Sequence, residues 1–344
     1  MELHIPSYYP KFRCLAGACP HTCCAWWEVP VDEASVAFYQ NVPGELGAAL
    51  HSALTVDEDG EPCFRLSGGK CPFLDENGLC SLQLKWGEEH IPFICREHPR
   101  FTYDYGPVRE SGLCASCPEA ARLILAEDFT LAAEPLSDEA GDAPDPLLFP
   151  LLSARKAAFD LLNMDALLSQ RLQALLLFAN DLQNALDEGD PNALAQVCQA
   201  YSRAFPRPEN VSLPPRREAL QKTLSCLEKL EILQPDWPGL LSAAASRPAP
   251  LSPPEAEGGR SAAYFLYRHW LRSLNDGDLL SWCELAVLGT AVAGALSPLV
   301  EGGFPEAFRR FCLEVEHSQP NLDILQDALW QSLTFPDQLS LAGA

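Results

Sequence analysis

The chain has 344 residues, a formal charge of 24 − 47 = −23 and an apolar fraction of 47 %. That apolar share supports a packed core and excludes disorder over most of the length. Acidity spread along the chain argues against nucleic acid, which needs clustered Lys and Arg, and suits a basic partner surface such as lysines on a protein substrate.

The opening MELHIPSYYPKF has neither the basic nor the apolar region of an export signal, so the expectation is a soluble, cytoplasmic protein off the membrane. Residues 1–134 read as an irregular, cysteine-rich metal-binding module punctuated by Gly and Pro, with short helices near VDEASVAFYQNV and LCSLQLKWGEEH. Pro118 fits the first turn of a helix with Cys117 at its N-cap. Residues 135–150 form an acidic, Pro-rich linker, and 151–344 a larger helical domain.

Within that domain Leu161, Leu168, Leu172, Leu175, Leu182 and Leu186 predict one long amphipathic helix over roughly 150–187. Asp190-Pro191 opens a helix to about 204, and 216–233 is helical. After a second Pro-rich loop, helices follow near 260–275, 278–297, 304–317 and 320–332. The run LAVLGTAVAGAL, 285–296, is short of the roughly 20 residues a membrane span needs and reads as a core helix. No strands alternate with these helices, so the fold class is mainly α, without a doubly wound sheet.

Ten of the 14 cysteines fall between Cys14 and Cys117. Their spacings are Cys14-x4-Cys19-x3-Cys23-Cys24, Cys71-x8-Cys80, Cys95 and Cys114-x2-Cys117, with Cys63 apart. Thiolates gather around zinc or iron–sulfur clusters, and a reducing compartment disfavours a disulfide framework. Spacing alone leaves zinc and iron–sulfur open. Cys23 and Cys24 are expected to point apart, serving two centres or contributing one ligand. His21 and His98 are further candidate ligands, more simply surface histidines, and Trp26 and Trp27 read as small-core residues. Cys198, Cys226, Cys283 and Cys312 stand singly on helices as buried apolar side chains.

The segments CLAGACPHTCCAWW, GGKCPFLDENGLCSLQ, FICREHPR and CASCPEAARLIL resemble the flagellin lysine-N-methylase family. YFLYRHWLRSLNDGDL and FRRFCLEVEHSQPNLDIL extend the likeness to the far end. The N-terminal part is similar to a wider group of zinc- or iron-chelating proteins with a CxxxCxxCC-type run. The resemblance implies methyl transfer from S-adenosylmethionine to flagellin lysines, with an iron–sulfur cluster (4Fe–4S, zinc as the alternative) held by N-terminal cysteines. The matching positions are Cys14, Cys19, Cys23, Cys24, Cys71, Cys80, Cys95 and Cys117. Cys63 and Cys114 are extras. Eight sulfurs exceed the four of one such cluster, so some are structural or hold a second metal.

Methylating an amine requires removing its proton, which a carboxylate or tyrosine can take. Tyr264, Tyr267, Asp278 and Glu316 in the C-terminal block are the candidate catalytic residues. The structural alternatives are core-edge tyrosines and, for Asp276 and Asp278, a turn or helix cap. LGTAVAG lies inside an apolar helix and is no nucleotide loop, so no donor-binding residues are named. The reading favours polar over radical transfer. The competing function is a non-catalytic iron or zinc carrier or redox sensor.

Overall fold

The computed structural model describes residues 1–25, 29–57, 60–136, 142–189, 191–203, 206, 208, 212–247 and 252–343. Trp26, Trp27, Asp190 and residues 137–141 of the expected linker lie outside them.

Burial organises the chain around Leu279–Leu296, in which every residue except Leu280 is buried. An apolar helix with no polar face must be covered on all sides. Here the helices Leu168–Asp187, Glu255–His269, Gly303–Glu316 and Phe335–Ala342 cover it. The stretch Leu279–Leu299 is long and apolar enough to cross a membrane, yet 94 % of its most apolar 18-residue window is buried inside the protein, as a core helix would be. A Cβ at Gly289 would come within 2.7 Å of the Phe265 ring and 2.8 Å of the Phe311 ring, so glycine permits the close approach of the neighbouring helices. Asp278 starts the helix by accepting from Ser281 N–H at 3.0 Å.

The fold is mainly α among the described residues, as the sequence indicates. The expected 150–187 helix is instead two, Leu148–Leu162 and Leu168–Asp187. Asn163 ends the first, and Leu167 is extended, its N–H taken up by Gln170 Oε1 at 3.3 Å. The carboxylate of Glu255 then accepts from Leu168 N–H at 2.8 Å. Leu161 and Leu168, on either side of the break, are both buried, so the leucine spacing runs across it. A further helix, Trp237–Ala245, lies between the Pro-rich segments, with Pro238 in its first turn.

The first third is more regular than its punctuation suggests. Strands β1 (Glu2–Pro6), β2 (Val29–Pro30), β3 (Leu54–Val56), β4 (Pro62–Phe64), β5 (Arg100–Tyr105), β6 (Val108–Leu113) and β7 (Leu131–Pro135) form two sheets. One has the order β5-β6-β1-β7 and the other β2-β4-β3. β5 and β6 are an antiparallel hairpin, Tyr105 opposite Val108, turned at Gly106 with φ +68°. β1 runs parallel to β6 and antiparallel to β7, pairing residues a hundred or more positions apart.

Two cores follow. Val29, Tyr39, Leu50, Phe64, Phe73, Leu82 and Ile91 build a small one on 29–95. Tyr8, Phe12, Val108 and Leu113 belong instead to the large helical core. The four-stranded sheet is fastened to the helices by the buried Glu110–Arg155 ion pair, with Arg155 Nη1 2.9 Å from Glu110 Oε2.

Candidate functional site

Turns bring the cysteines of the first third into two neighbourhoods. In the inner one, an Ala25–Lys70 bridge sets two loops side by side, and Cys71 N–H donates to the Cys24 carbonyl at 2.8 Å. The loop after Cys71 is closed by Asp75, whose Oδ1 accepts from Asn77 N–H at 2.9 Å and Leu79 N–H at 2.8 Å, and it returns at Cys80. Cys95 rides on Phe93–Glu97, positioned by Phe93 N–H donating to Asp32 Oδ2 at 2.7 Å. Cys24, Cys80 and Cys95 pack against the small core, of which Cys71 is a member. Burial pushes the Cys71 thiol up to about 11 and raises Cys80 and Cys95, and the charge of Cys24 pushes all three further.

The outer neighbourhood holds Cys14, Cys19 and Cys117. Cys14 and Cys19 flank the single turn Ala16–Ala18, entered through Ala16 at φ +48°, a conformation costly for a residue with a Cβ. A Cβ on Gly17 would stand 3.0 Å from the Asn77 carbonyl, so this turn lies against the Asp75–Leu79 loop of the inner group. Cys117 occupies the N-cap of Pro118–Ala126, where the Ala120 and Glu119 backbone lowers its thiol. Burial still outweighs them and lifts the thiol to about 11, with Cys19 and Cys14 adding to the rise.

Cys23 and Cys24 do not point apart. They occupy a turn, where backbone alternation is lost, and the Cys23 S–H donates to the Cys24 sulfur. That bond outweighs burial and holds Cys24 at about 7. The charges of Cys95 and Cys14 also raise the Cys23 thiol. No disulfide links the cysteines. In kind, the donors fit zinc or an iron–sulfur cluster. In spacing they are not gathered: among the described residues no three His, Cys, Asp or Glu side chains converge tightly enough to grip an ion.

Beside the outer thiols is a buried ionic cluster. The carboxylate of Glu316 is fully buried where Gly303–Glu316 ends. It accepts from Tyr264 OH at 2.8 Å, meets His269 Nε2 at 2.7 Å and lies 2.9 Å from Arg268 Nε. Tyr264 in turn accepts from Ala115 N–H at 3.1 Å. Burial works against ionising Glu316, but the Arg268 guanidinium and the His269 hydrogen bond prevail and hold it at about 2. Burial takes His269 down to about 4, leaving a neutral ring that donates from Nε2.

Cys114 continues the cluster. Its sulfur lies 3.5 Å from His317 Nε2 and 3.2 Å from Ser116 Oγ, and His317 Nε2 is 2.6 Å from Ser116 Oγ. Burial would raise this thiol; Arg268 and then His317 overcome it and lower it to about 6, which favours the thiolate. The His98 ring is 6.0 Å from that of His317 and is lowered to about 4, by burial first and by His317 and Arg268 next. Arg268 lies over the Phe101 ring at 4.7 Å. Arg268 Nη1 and the Tyr8 hydroxyl are buried with no hydrogen-bond partner among the described residues. Shifted groups held together in this way are a physical signature of functional sites.

Of the residues anticipated from sequence, Tyr264 and Glu316 meet here. Tyr267 and Asp278 lie elsewhere: Tyr267 OH reaches the His4 carbonyl at 2.9 Å and the Ser111 carbonyl at 3.0 Å, tying its helix to β1 and β6. Asp278 caps the core helix and accepts from Trp330 Nε1 at 2.9 Å. His21 stands 3.5 Å from Glu306. Cys114, Arg268, His269 and His317 were not among the catalytic candidates. The signal that could have found three of them is two adjacent polar pairs, Arg268-His269 and Glu316-His317, each at the C-terminal end of a helix. A cavity of about 250 Å³ is lined by Asp128, Phe129, Arg171, Glu255 and Arg260, but its charges pair with one another, Arg171 with Glu255 and Arg260 with Asp128.

No family model matches the chain, and no solved structure matches it. It is 27 % identical over 139 residues, 37 % of its length, to a protein named lysine-N-methylase from Salmonella typhimurium and to one of the same name from Salmonella choleraesuis. The match spans a third, 33 %, of each. At the same identity and extent it matches 79 % of the flagellar biosynthetic protein FliU of Salmonella muenchen. The chain therefore shares one region with proteins named for lysine N-methylation and for flagellar biosynthesis.

Proposed function

We propose that this protein is a lysine N-methyltransferase that modifies flagellin with S-adenosylmethionine as donor. The observation that carries the reading is the hydrogen bond from Tyr264 to the buried carboxylate of Glu316, set beside Cys114 and His317. The local likeness to two lysine-N-methylases points to the same chemistry.

In polar transfer the lysine nitrogen bonds the methyl carbon as the carbon–sulfur bond of the sulfonium breaks. A neutral thioether leaves, and the ammonium proton must already have gone to a base. Free lysine holds that proton at neutral pH. Two negative groups, Glu316 and Cys114, attract the ammonium. His317, less deeply buried than the Glu316 carboxylate, is placed to take that proton and hold it as an imidazolium beside Cys114. Phe101 and Phe308 add an apolar wall that disfavours the charged amine. An iron–sulfur cluster, or zinc in its place, would supply a rigid thiolate-held anchor for the loops around this cluster, and four of Cys14, Cys19, Cys23, Cys24, Cys71, Cys80, Cys95 and Cys117 would hold it.

The test is incubation with labelled S-adenosylmethionine and flagellin, followed by mass-spectrometric mapping of methyl-lysine. Label on flagellin lysines is expected, with a fall of at least tenfold in Tyr264→Phe. An unlabelled flagellin, with folded enzyme and substrate, removes the transferase reading. The thiols favour the second reading, a non-catalytic iron or zinc carrier, which predicts that metal passes to an acceptor chelator without any methylation.

A further inference from the structure

We propose that the exposed face of Gln319–Gln331, centred on Trp330, is a docking surface for a lysine-bearing basic segment of a protein partner. That the partner is the substrate rests on the transferase reading; the surface itself follows from exposure and charge and stands apart from catalysis.

Asp323, Asp327 and Trp330 follow one another at intervals of four and three positions, so they share one face of the helix, and all three are exposed. Trp330 is 75 % exposed, more than any other large apolar side chain among the described residues. Its ring is nonetheless held in place. Nε1 donates to Asp278 Oδ2 at 2.9 Å, and Asp278 is itself buried at the start of the core helix. An indole pinned by its N–H offers a fixed π face to solvent, and tryptophan is the best aromatic partner for an ammonium or guanidinium.

The surroundings supply the matching charge. Gln326 donates to Asp276 Oδ2 at 3.3 Å, which brings that exposed carboxylate alongside Asp278. The hydrogen bonds these acids accept come from neutral donors: Trp282 Nε1 on Asp276 at 3.0 Å, Ser281 N–H on Asp278 at 3.0 Å and Gln319 Nε2 on Asp323 at 2.6 Å. Among the described residues none of Asp276, Asp278, Asp323 and Asp327 is in an ion pair, whereas Glu306 is matched by Arg309 and Asp337 by Lys222. Arg272, the cation at the margin, lies over the Trp282 ring at 4.8 Å and donates to Gln319 Oε1 at 2.9 Å. Asp323 and Asp327 are like charges four residues apart, a spacing that weakens a helix until a cation joins them. A lysine fits this surface in both its parts, the methylenes on the ring and the ammonium among the carboxylates.

The face also adjoins the Glu316 cluster. Trp282, held by Asp276, stacks on the His269 ring with centroids 5.3 Å apart, and His269 Nε2 meets Glu316. A protein docked on Trp330 is thereby kept beside the elements that carry the proposed chemistry.

The experiment titrates the full chain with a fluorescein-labelled lysine–glycine peptide, read by fluorescence polarisation at low and physiological salt, with a glutamate–glycine peptide as comparison. The lysine peptide is expected to bind and the glutamate peptide is not. Trp330→Ala should weaken binding about three- to tenfold, the scale of a cation–π contact. Asp323→Asn/Asp327→Asn, confined to exposed side chains, should weaken it about threefold at low salt and flatten its salt dependence. Glu45→Gln/Glu89→Gln, the same charge change on exposed acids of the first third, should leave it unchanged. Should Trp330→Ala fail to fold, the Asp323/Asp327 pair decides. No binding by the unaltered chain, or an equal loss in the Glu45/Glu89 variant, overturns the inference, the latter because it marks a diffuse attraction to net charge. With flagellin and labelled S-adenosylmethionine, Trp330→Ala should raise KM and leave kcat as it was. Unlabelled flagellin with the unaltered chain removes the transferase reading, while the peptide titration still decides the surface.

Discussion

Glu316→Gln takes a negative charge out of a place where Arg268 keeps its positive one. The carboxylate has no exposed surface and gathers Tyr264 OH, His269 Nε2 and Arg268 Nε within 2.9 Å. Breaking a buried ion pair by removing one partner costs about 3–5 kcal/mol, more than the pair contributes, because the remaining charge is stranded. Linkage gives a similar figure. Holding the acid at about 2 against an ordinary 4.5 is worth about 3 kcal/mol at 1.36 kcal/mol per pH unit. The folded value is the lower one, so this stability is complete above about pH 4.5 and is lost as pH falls through about 2.

Urea unfolding followed by tryptophan fluorescence should therefore place the variant about 3 kcal/mol below the parent from pH 7 to about 4.5. The gap should narrow at lower pH as the parent loses the same contribution. Adding Arg268→Met to Glu316→Gln should recover part of the loss, since a neutral pair replaces a stranded cation. A single variant within 0.5 kcal/mol of the parent at pH 7, by the scale of a surface change, refutes the idea that Glu316 and Arg268 hold each other as charges.

Three further outcomes are expected. Arg155→Met strands Glu110 under the four-stranded sheet and should cost about 3–5 kcal/mol by the same logic; an unchanged urea midpoint would contradict it. Gly289→Ala gains about 1 kcal/mol of helix propensity but drives a methyl to 2.7 Å from Phe265, an overpacking cost of about 1–3 kcal/mol. The melting temperature should fall, and a rise would mean the rings move aside. His269 is neutral and 1 % exposed, with its value lowered from 6.5 to about 4. Its contribution is whole above about pH 6.5 and declines toward pH 4 by up to about 3 kcal/mol, so His269→Gln should flatten the stability–pH curve in that window.

Much of the helical body could be read directly. Leucine spacing marked the Leu148–Leu162 and Leu168–Asp187 region, and the apolar run at 285–296 marked the central helix. Both follow from local periodicity, which records which face of a helix is buried. The break at Asn163–Leu167 escaped notice because it left that spacing intact. Arg100–Tyr105 carried a strand signature, with aromatics at 101, 103 and 105 between polar residues, but its neighbouring turn residues masked it. β1 could not be placed from sequence at all, since its partners begin a hundred positions away.

The site divides along the same line. By itself the sequence determined that thiols are concentrated before residue 118, that the chain is acidic and mainly helical, and that Tyr264 and Glu316 are chemically apt. Only the tertiary structure brought Cys114 to His317 across 203 positions and Ala115 to Tyr264 across 149. The physical reason is that periodicity encodes burial residue by residue. The shifted acidities of Glu316, His269 and Cys114 arise from charges and desolvation supplied by distant segments, which exist as neighbours only after the chain has packed.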